Sequence, residues 1–196
     1  MHRPLKTLLH ATALTLVLLH SWQGVLAQEA ETAPEYREIE WVELIPDDNL
    51  AALLNPPQWL TEIDDGSRMD DPALFGSREQ ESEEDARYRQ ALQSTAVRGE
   101  LADQKVRVPG FIVPLNYDDQ RRVIEFFLVP YMGACLHLPP PPPNQIIHVD
   151  YELGLPLDSL WEPYWIEGVL EIKTVSHFLG EAGYAIDAQR LELYEY

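Results

Sequence analysis

Cysteine is nearly missing from this 196-residue chain, which contains one, Cys135. One cysteine cannot form an internal disulfide, so we expect a fold without covalent cross-links. Neither a Cys-x-x-Cys pair nor a Gly-x-Ser-x-Gly motif occurs, and no glycine-rich phosphate loop is present. An unpaired cysteine in an exported protein is a candidate metal ligand, reactive thiol or intermolecular partner. An inert, buried cysteine is the alternative.

Positive charge is also scarce. The chain has 14 Lys and Arg residues against 33 Asp and Glu residues, a formal net charge of −19. Affinity for nucleic-acid backbones and for anionic lipid surfaces depends on Lys and Arg, so this balance excludes both as partners. It favours solubility and a weak attraction for cations.

A hydrophobic run long enough to span a membrane is missing. The apolar run Leu8–Leu19 is interrupted by His10 and is shorter than the roughly 18–20 residues that a spanning helix needs. The basic segment His2–Lys6 precedes it, and Val25-Leu26-Ala27 fits the small-x-small cleavage rule. We therefore predict a cleaved signal peptide over residues 1–27, with an uncleaved anchor as the alternative. Cleavage would remove two cations, take the net charge to −21 and leave a periplasmic protein without a stable membrane anchor.

The segment 28–98 reads as an acidic N-terminal arm and linker with short helices. The alternation over Glu38–Pro46 predicts a short strand or docking arm that packs against the next domain. Helices are predicted over Asn49–Leu54 and Glu81–Ser94. Between them, Trp59–Glu84 reads as a linker or mobile flap. Its paired carboxylates lack the spacing of a calcium loop, so a solvated acidic loop is favoured.

Strand-like segments dominate residues 99–196. Five segments read as strands: Lys105–Leu115, Arg121–Val129, Gln145–Tyr151, Pro163–Lys173 and Tyr184–Tyr194. In the second and the fourth, apolar and polar residues alternate as in half-buried antiparallel strands. Gly110 and Gly168 predict bulges or bends, and Thr174–Gly180 predicts a short helix. These elements predict a mainly β fold, a small OB-like, five-stranded, partly open barrel. A β-sandwich is the alternative.

The candidate chemistry centres on Cys135-Leu136-His137, which precedes a run of five prolines. The prolines favour extended backbone, in which Cys135 and His137 share one face. A thiolate and an imidazole together suit Zn²⁺ or Cu. Because a tight site needs three or four ligands, His148 and His177 are the further candidates. Asp150 is expected on the same strand face as His148.

Two other interpretations compete with metal binding. The proline run could be a rigid loop that docks into a partner, through Pro139, Pro140, Pro141, Pro142, Pro143 and Asn144. A thiol enzyme would use Cys135 as nucleophile and His137 or His148 as base. Nothing marks an orienting third group or an oxyanion site, so a non-enzymatic function is favoured.

A family resemblance supports the metal interpretation. The run from Phe127 through the Cys-x-His pair and the prolines to Asn144-Gln145 resembles the DUF3299 family, as do Ile39–Pro46 and Gly110–Leu115. These are bacterial exported proteins without an agreed function, often encoded beside ABC-transporter and metal-homeostasis genes. The resemblance implies a metal or envelope role. We therefore predict a periplasmic metal-binding or metal-delivery accessory protein, with an envelope ABC transporter or another periplasmic protein as its partner.

Overall fold

The computed structural model describes residues 36–64, 66–70, 82–134, 139–156 and 161–195. Its helices are α1 (Asp47–Leu53), α2 (Gln58–Thr61) and α3 (Glu83–Leu92), and its strands are β1 (Arg37–Glu38), β2 (Lys105–Tyr117), β3 (Val123–Val129), β4 (Ile147–Leu155), β5 (Tyr164–His177) and β6 (Gly180–Leu193). The predicted signal peptide, residues 1–27, lies outside the described residues. Of the helices described, none is both long and apolar enough to cross a membrane.

Five strands form a closed barrel. The order is β2-β3-β4-β6-β5, and β5 pairs back with β2 to close it. Strands β4 and β6 run parallel, and the other barrel pairs are antiparallel. This order, with its parallel third and fifth barrel strands, is that of an OB barrel. The predicted mainly β, OB-like fold is confirmed, and the barrel is closed where a partly open one was expected.

The barrel interior is apolar because alternate residues of each strand point inward. In β4, Ile147 and Val149 lie in the core, where they meet Phe126 and Leu128 of β3. Residues between these inward positions form the outer face of the sheet. This alternation places His148 and Asp150 together on the outside of the barrel.

Gly110 and Gly168, the two glycines at which bulges or bends are predicted, mark irregular positions in the sheet. At Gly168 the β5–β6 register shifts, and a Cβ there would lie only 2.5 Å from the carbonyl oxygen of Asp187. At Gly110 strand β2 exchanges one partner for another, since Gly110 pairs with β5 and Phe111 with β3. Close backbone approach explains both glycines.

The helix predicted over Thr174–Gly180 is wrong. Strand β5 continues to His177, a two-residue turn follows, and β6 already begins at Gly180. Residues 175–177 pair with residues 180–182. Three apolar residues at helical spacing are too few to predict a helix. As a strand, the same segment gains backbone hydrogen bonds to β6.

The N-terminal arm packs on the barrel. It has the two-residue strand β1, parallel to β2, and a 3₁₀ helix at Trp41–Leu44. Ile39 and Leu44 are fully buried in the barrel core. The indole nitrogen of Trp41 donates a 2.6 Å hydrogen bond to the carbonyl oxygen of Pro109. The arm therefore forms part of the folded unit rather than a free tether.

The short helices form a separate apolar cluster. Leu60 of α2 packs with Tyr88 and Leu92 of α3, and Leu53 of α1 lies against them. Ser82 caps α3 by accepting a hydrogen bond from the backbone nitrogen of Asp85. The predicted linker Trp59–Glu84 therefore begins inside the one-turn helix α2.

Candidate metal centre

Two of the four predicted metal ligands lie among the described residues and two do not. Cys135 and His137 lie outside the described residues, so their part in a metal site stays a prediction. His148 is the second residue of β4, and His177 ends β5. The structure brings His148, not His177, together with two carboxylates.

His148 is a buried residue on the outer face of the sheet. It is 4% exposed, and its cross-strand partner Phe127 covers it with a T-shaped ring contact at 6.2 Å between centroids. Phe127 is itself buried in a small apolar cluster outside the main core. Burial among apolar groups means that each polar atom of the imidazole needs a partner.

One imidazole nitrogen has such a partner. Nε2 of His148 lies 2.9 Å from Oε1 of Glu125 on β3. A carboxylate can only accept a hydrogen bond, so Nε2 carries the hydrogen in the neutral ring. The lone pair of that ring is then on Nδ1.

Nδ1 is buried and has no hydrogen-bond partner among the described residues. The carboxylate of Asp150 lies near it, with Oδ2 at 3.7 Å. Two atoms with lone pairs therefore face each other across a short gap. A cation in that gap would satisfy both.

Glu125, His148 and Asp150 each offer a ligand atom within 4.8 Å of the other two, the only such group of three among the described residues. Around a tetrahedral Zn²⁺ with bonds of about 2.0–2.1 Å, neighbouring ligand atoms are about 3.3 Å apart. The 3.7 Å between Nδ1 and Asp150 is close to that spacing. A carboxylate holding the far nitrogen of the ligating imidazole is the arrangement that orients histidines at metal sites.

His177 occupies a different environment. Its Nδ1 accepts a 3.3 Å hydrogen bond from the backbone nitrogen of Leu179. Its ring lies edge-on to Phe127 at 6.0 Å and stacks on Phe178 at 4.3 Å. These contacts fit a histidine that shapes the β5–β6 turn.

An open pocket of about 770 Å³ adjoins the cluster, which contributes Glu125 and Asp150 to its lining. Its other acidic residues are Asp118, Glu152, Glu171 and Asp187. Arg122 also lines the pocket but is paired with Asp118 at 2.7 Å. The backbone nitrogen of Arg122, donating to Asp118, lowers the pKa of that carboxyl. The pocket is therefore strongly acidic.

The site lies where OB barrels bind ligands, over their second and third strands, which are β3 and β4 here. His148 and its neighbour Asp150 are predicted from the sequence, whereas Glu125 is not. The alternation of β3 does put Glu125 on the polar face. Its contact with His148 depends on the β3–β4 register, which no local pattern reveals.

The proline run packs into the body of the protein. Pro142 and Asn144 are buried, and Pro139, Pro140, Pro141 and Pro143 are partly buried. Asn144 donates through Nδ2 to the carbonyl oxygen of Ala96 at 2.9 Å. Next to it, Gln145 donates to the carbonyl oxygen of Trp41 at 2.7 Å. This end of the run anchors the arm and the segment before β2.

Comparison with known proteins identifies the family. No curated protein matches the chain. A crystal structure of a DUF3299 family protein from Pseudomonas aeruginosa is similar, with 33% sequence identity and a TM-score of 0.60, covering 83% of this chain and 98% of that one. The family model for DUF3299, a protein of unknown function, matches residues 41–193. The protein therefore belongs to the DUF3299 family.

Proposed function

We propose that this protein is an exported, non-enzymatic accessory protein that binds a divalent metal ion through Nδ1 of His148 and the carboxylate of Asp150, with Glu125 orienting the imidazole. The observation that carries the proposal is the buried, unpartnered Nδ1 of His148 opposite Asp150, with the other ring nitrogen held by Glu125. An imidazole in this state is oriented and ready to donate its lone pair.

The ligand set favours zinc over copper. An imidazole and a carboxylate provide nitrogen and oxygen donors, which suit Zn²⁺, whereas Cu(I) prefers thiolate and thioether ligands. Cys135 and His137 would add a soft ligand if they reach the same ion, and we keep them as candidates for that reason.

The competing occupant of the gap is a proton. A protonated His148 would donate from Nε2 to Glu125 and from Nδ1 towards Asp150, which would make the cluster a structural ion pair. At 3.7 Å the second contact is too long for a hydrogen bond. This distance supports the metal over the proton.

The polyproline docking function receives less support. Its prolines are partly or fully buried, and the residues after them form hydrogen bonds inside the protein. A docking loop would instead present its ring faces to solvent. Periplasmic location rests on the predicted signal peptide, and a transporter partner rests on the family resemblance.

The test is a zinc titration of protein expressed from the full chain, purified and stripped of metal. Competition against a chromophoric chelator gives the affinity. We expect His148→Gln and Glu125→Gln each to weaken binding at least about tenfold, as loss of a ligand or of its orienting partner does. His177→Ala is the matched control and should bind within about twofold of wild type. Cys135→Ser measures whether the thiol contributes.

Glu125 is partly exposed, so Glu125→Gln keeps the test valid if the buried histidine variant fails to fold. Wild-type protein that takes up no Zn²⁺, or a folded His148→Gln variant that binds as wild type does, would overturn the proposal.

A further inference from the structure

A row of three carboxylates crosses the outer face of the barrel at the proposed metal site. Glu125 of β3 is in register with Asp150 of β4, and Asp150 is in register with Asp187 of β6. All three line the acidic pocket. Neighbouring strands are about 4.8 Å apart, so these side chains are immediate neighbours.

No described Lys or Arg side chain forms an ion pair with any of the three. Arg122 is held by Asp118 instead. Lys173 of β5 lines the same pocket but is bonded to no member of the row. Like charges directly opposite each other on a sheet are destabilising. A cation lying over the row would reverse that effect.

Asp187 is close to the metal cluster without belonging to it. Its carboxylate is not among the ligand atoms that lie within 4.8 Å of one another. A cation at His148 would therefore meet Asp187 through a coordinated water or after rotation of the side chain. The pocket is open and wide enough to hold that water.

We propose that Asp187 completes a cation site spanning β3, β4 and β6, and that its ligand is a divalent cation that keeps part of its hydration shell. This inference rests on the proposed function. The imidazole of His148 and the carboxylate of Asp150 bind the ion directly, Glu125 orients the imidazole, and Asp187 accepts a hydrogen bond from a water on the ion. Cations bound by few protein ligands retain several waters, as Mg²⁺ does, and Mn²⁺ accepts the same oxygen-rich geometry.

The test uses Mn²⁺, because its electron paramagnetic resonance signal reports free ion and its effect on water proton relaxation reports coordinated water. Wild type, Asp187→Asn and Glu171→Gln are titrated in parallel. Glu171 of β5 lines the same pocket but lies outside the row of carboxylates. Glu171→Gln therefore makes the same charge change without altering Asp187.

We expect Asp187→Asn to weaken Mn²⁺ binding about tenfold, in the range seen for residues that contact a metal indirectly. Glu171→Gln should change it less than about threefold, and bound Mn²⁺ should keep exchangeable water. Equal losses in the two variants, an unchanged affinity in Asp187→Asn, or a bound ion without exchangeable water would overturn the inference. Wild type that binds Zn²⁺ but not Mn²⁺ would also overturn it, while leaving the proposed function intact.

Discussion

His148 and Glu125 are diagonal neighbours on adjacent strands, joined by a 2.9 Å hydrogen bond between Nε2 and Oε1. Glu125 is directly opposite Asp150, and His148 is directly opposite Phe127. In this orientation the imidazole makes a T-shaped contact with Phe127, and its Nδ1 lies 3.7 Å from Oδ2 of Asp150. Two carboxylates and one histidine thereby converge without any of them lying on a loop.

Binding of a cation at this cluster should stabilise the fold. A ligand that binds only the folded state at 100 times its dissociation constant adds about 2.7 kcal/mol to the free energy of unfolding. We expect Zn²⁺ to raise the melting temperature of wild type by roughly 5–10 °C at this saturation. Calorimetry of metal-stripped protein with and without Zn²⁺ measures the shift. Asp150→Asn should lose most of it, and an undiminished shift in that variant would count against the site.

Gly168→Ala should destabilise the barrel. Its Cβ would lie 2.5 Å from both the carbonyl oxygen of Asp187 and Cγ2 of Ile186, so β5 and β6 would have to separate at the register shift. Overpacking of this kind costs about 1–3 kcal/mol. Urea denaturation measures the loss. Gly99→Ala is the control, because nothing lies within 4 Å of its added Cβ, and it should stay within about 0.5 kcal/mol.

Tyr184→Phe should loosen the N-terminal arm. The Tyr184 hydroxyl donates a 2.9 Å hydrogen bond to the carbonyl oxygen of Leu44 and accepts one of 2.7 Å from the backbone nitrogen of Arg98. Removing it leaves buried backbone groups unpaired, which costs about 1–3 kcal/mol. Hydrogen exchange should become faster at residues 41–45.

Tyr117→Phe is the matched control for this experiment, because Tyr117 is exposed. If Tyr117→Phe and Tyr184→Phe gave the same stability and the same exchange rates, the hydroxyl of Tyr184 would not hold the arm.

Stability should fall at high pH partly because of Tyr88. Burial, with a smaller effect of Tyr131, raises the pKa of Tyr88 from 10.0 to about 12. The unfolded chain therefore loses this proton first, so the contribution is complete below pH 10 and is lost as the pH rises towards 12. Two pKa units correspond to at most about 2.7 kcal/mol.

The free energy of unfolding, measured between pH 9 and pH 12, checks this effect. Tyr88→Phe should decline less steeply than wild type over that interval. Some decline should remain, because burial also raises the pKa of Tyr184. Identical pH profiles for the two proteins would show that Tyr88 ionises freely in the folded state.

Much of the fold could be predicted from local sequence patterns. All five barrel strands were predicted from strand-like segments, and alternation of apolar and polar residues marks β3 and β5 most clearly, because side chains of a strand point alternately to its two faces. The helix predicted over Thr174–Gly180 is wrong, because its three apolar residues at helical spacing belong to a hairpin. Over seven residues, helix and strand patterns are too short to separate, and pairing with β6 decided the outcome.

Only part of the candidate site could be predicted from the sequence. His148 stands out in the sequence because histidine is rare here, and Asp150 follows it at strand spacing. Glu125 is 23 residues from His148 and Asp187 is 37 residues from Asp150, in a chain rich in carboxylates. No feature of their immediate neighbours distinguishes these two from other acidic residues. Cys135 and His137 remain predicted ligands.

The sequence by itself determined the acidic character, the β segments and the family, since charge, alternation and motif order are properties of the chain read locally. Tertiary structure alone decided that the barrel closes through β2 and β5, and that Glu125, Asp150 and Asp187 stand abreast beside His148. Both depend on strand register. A shift of one residue would turn His148 into the core and send the carboxylates to the opposite face.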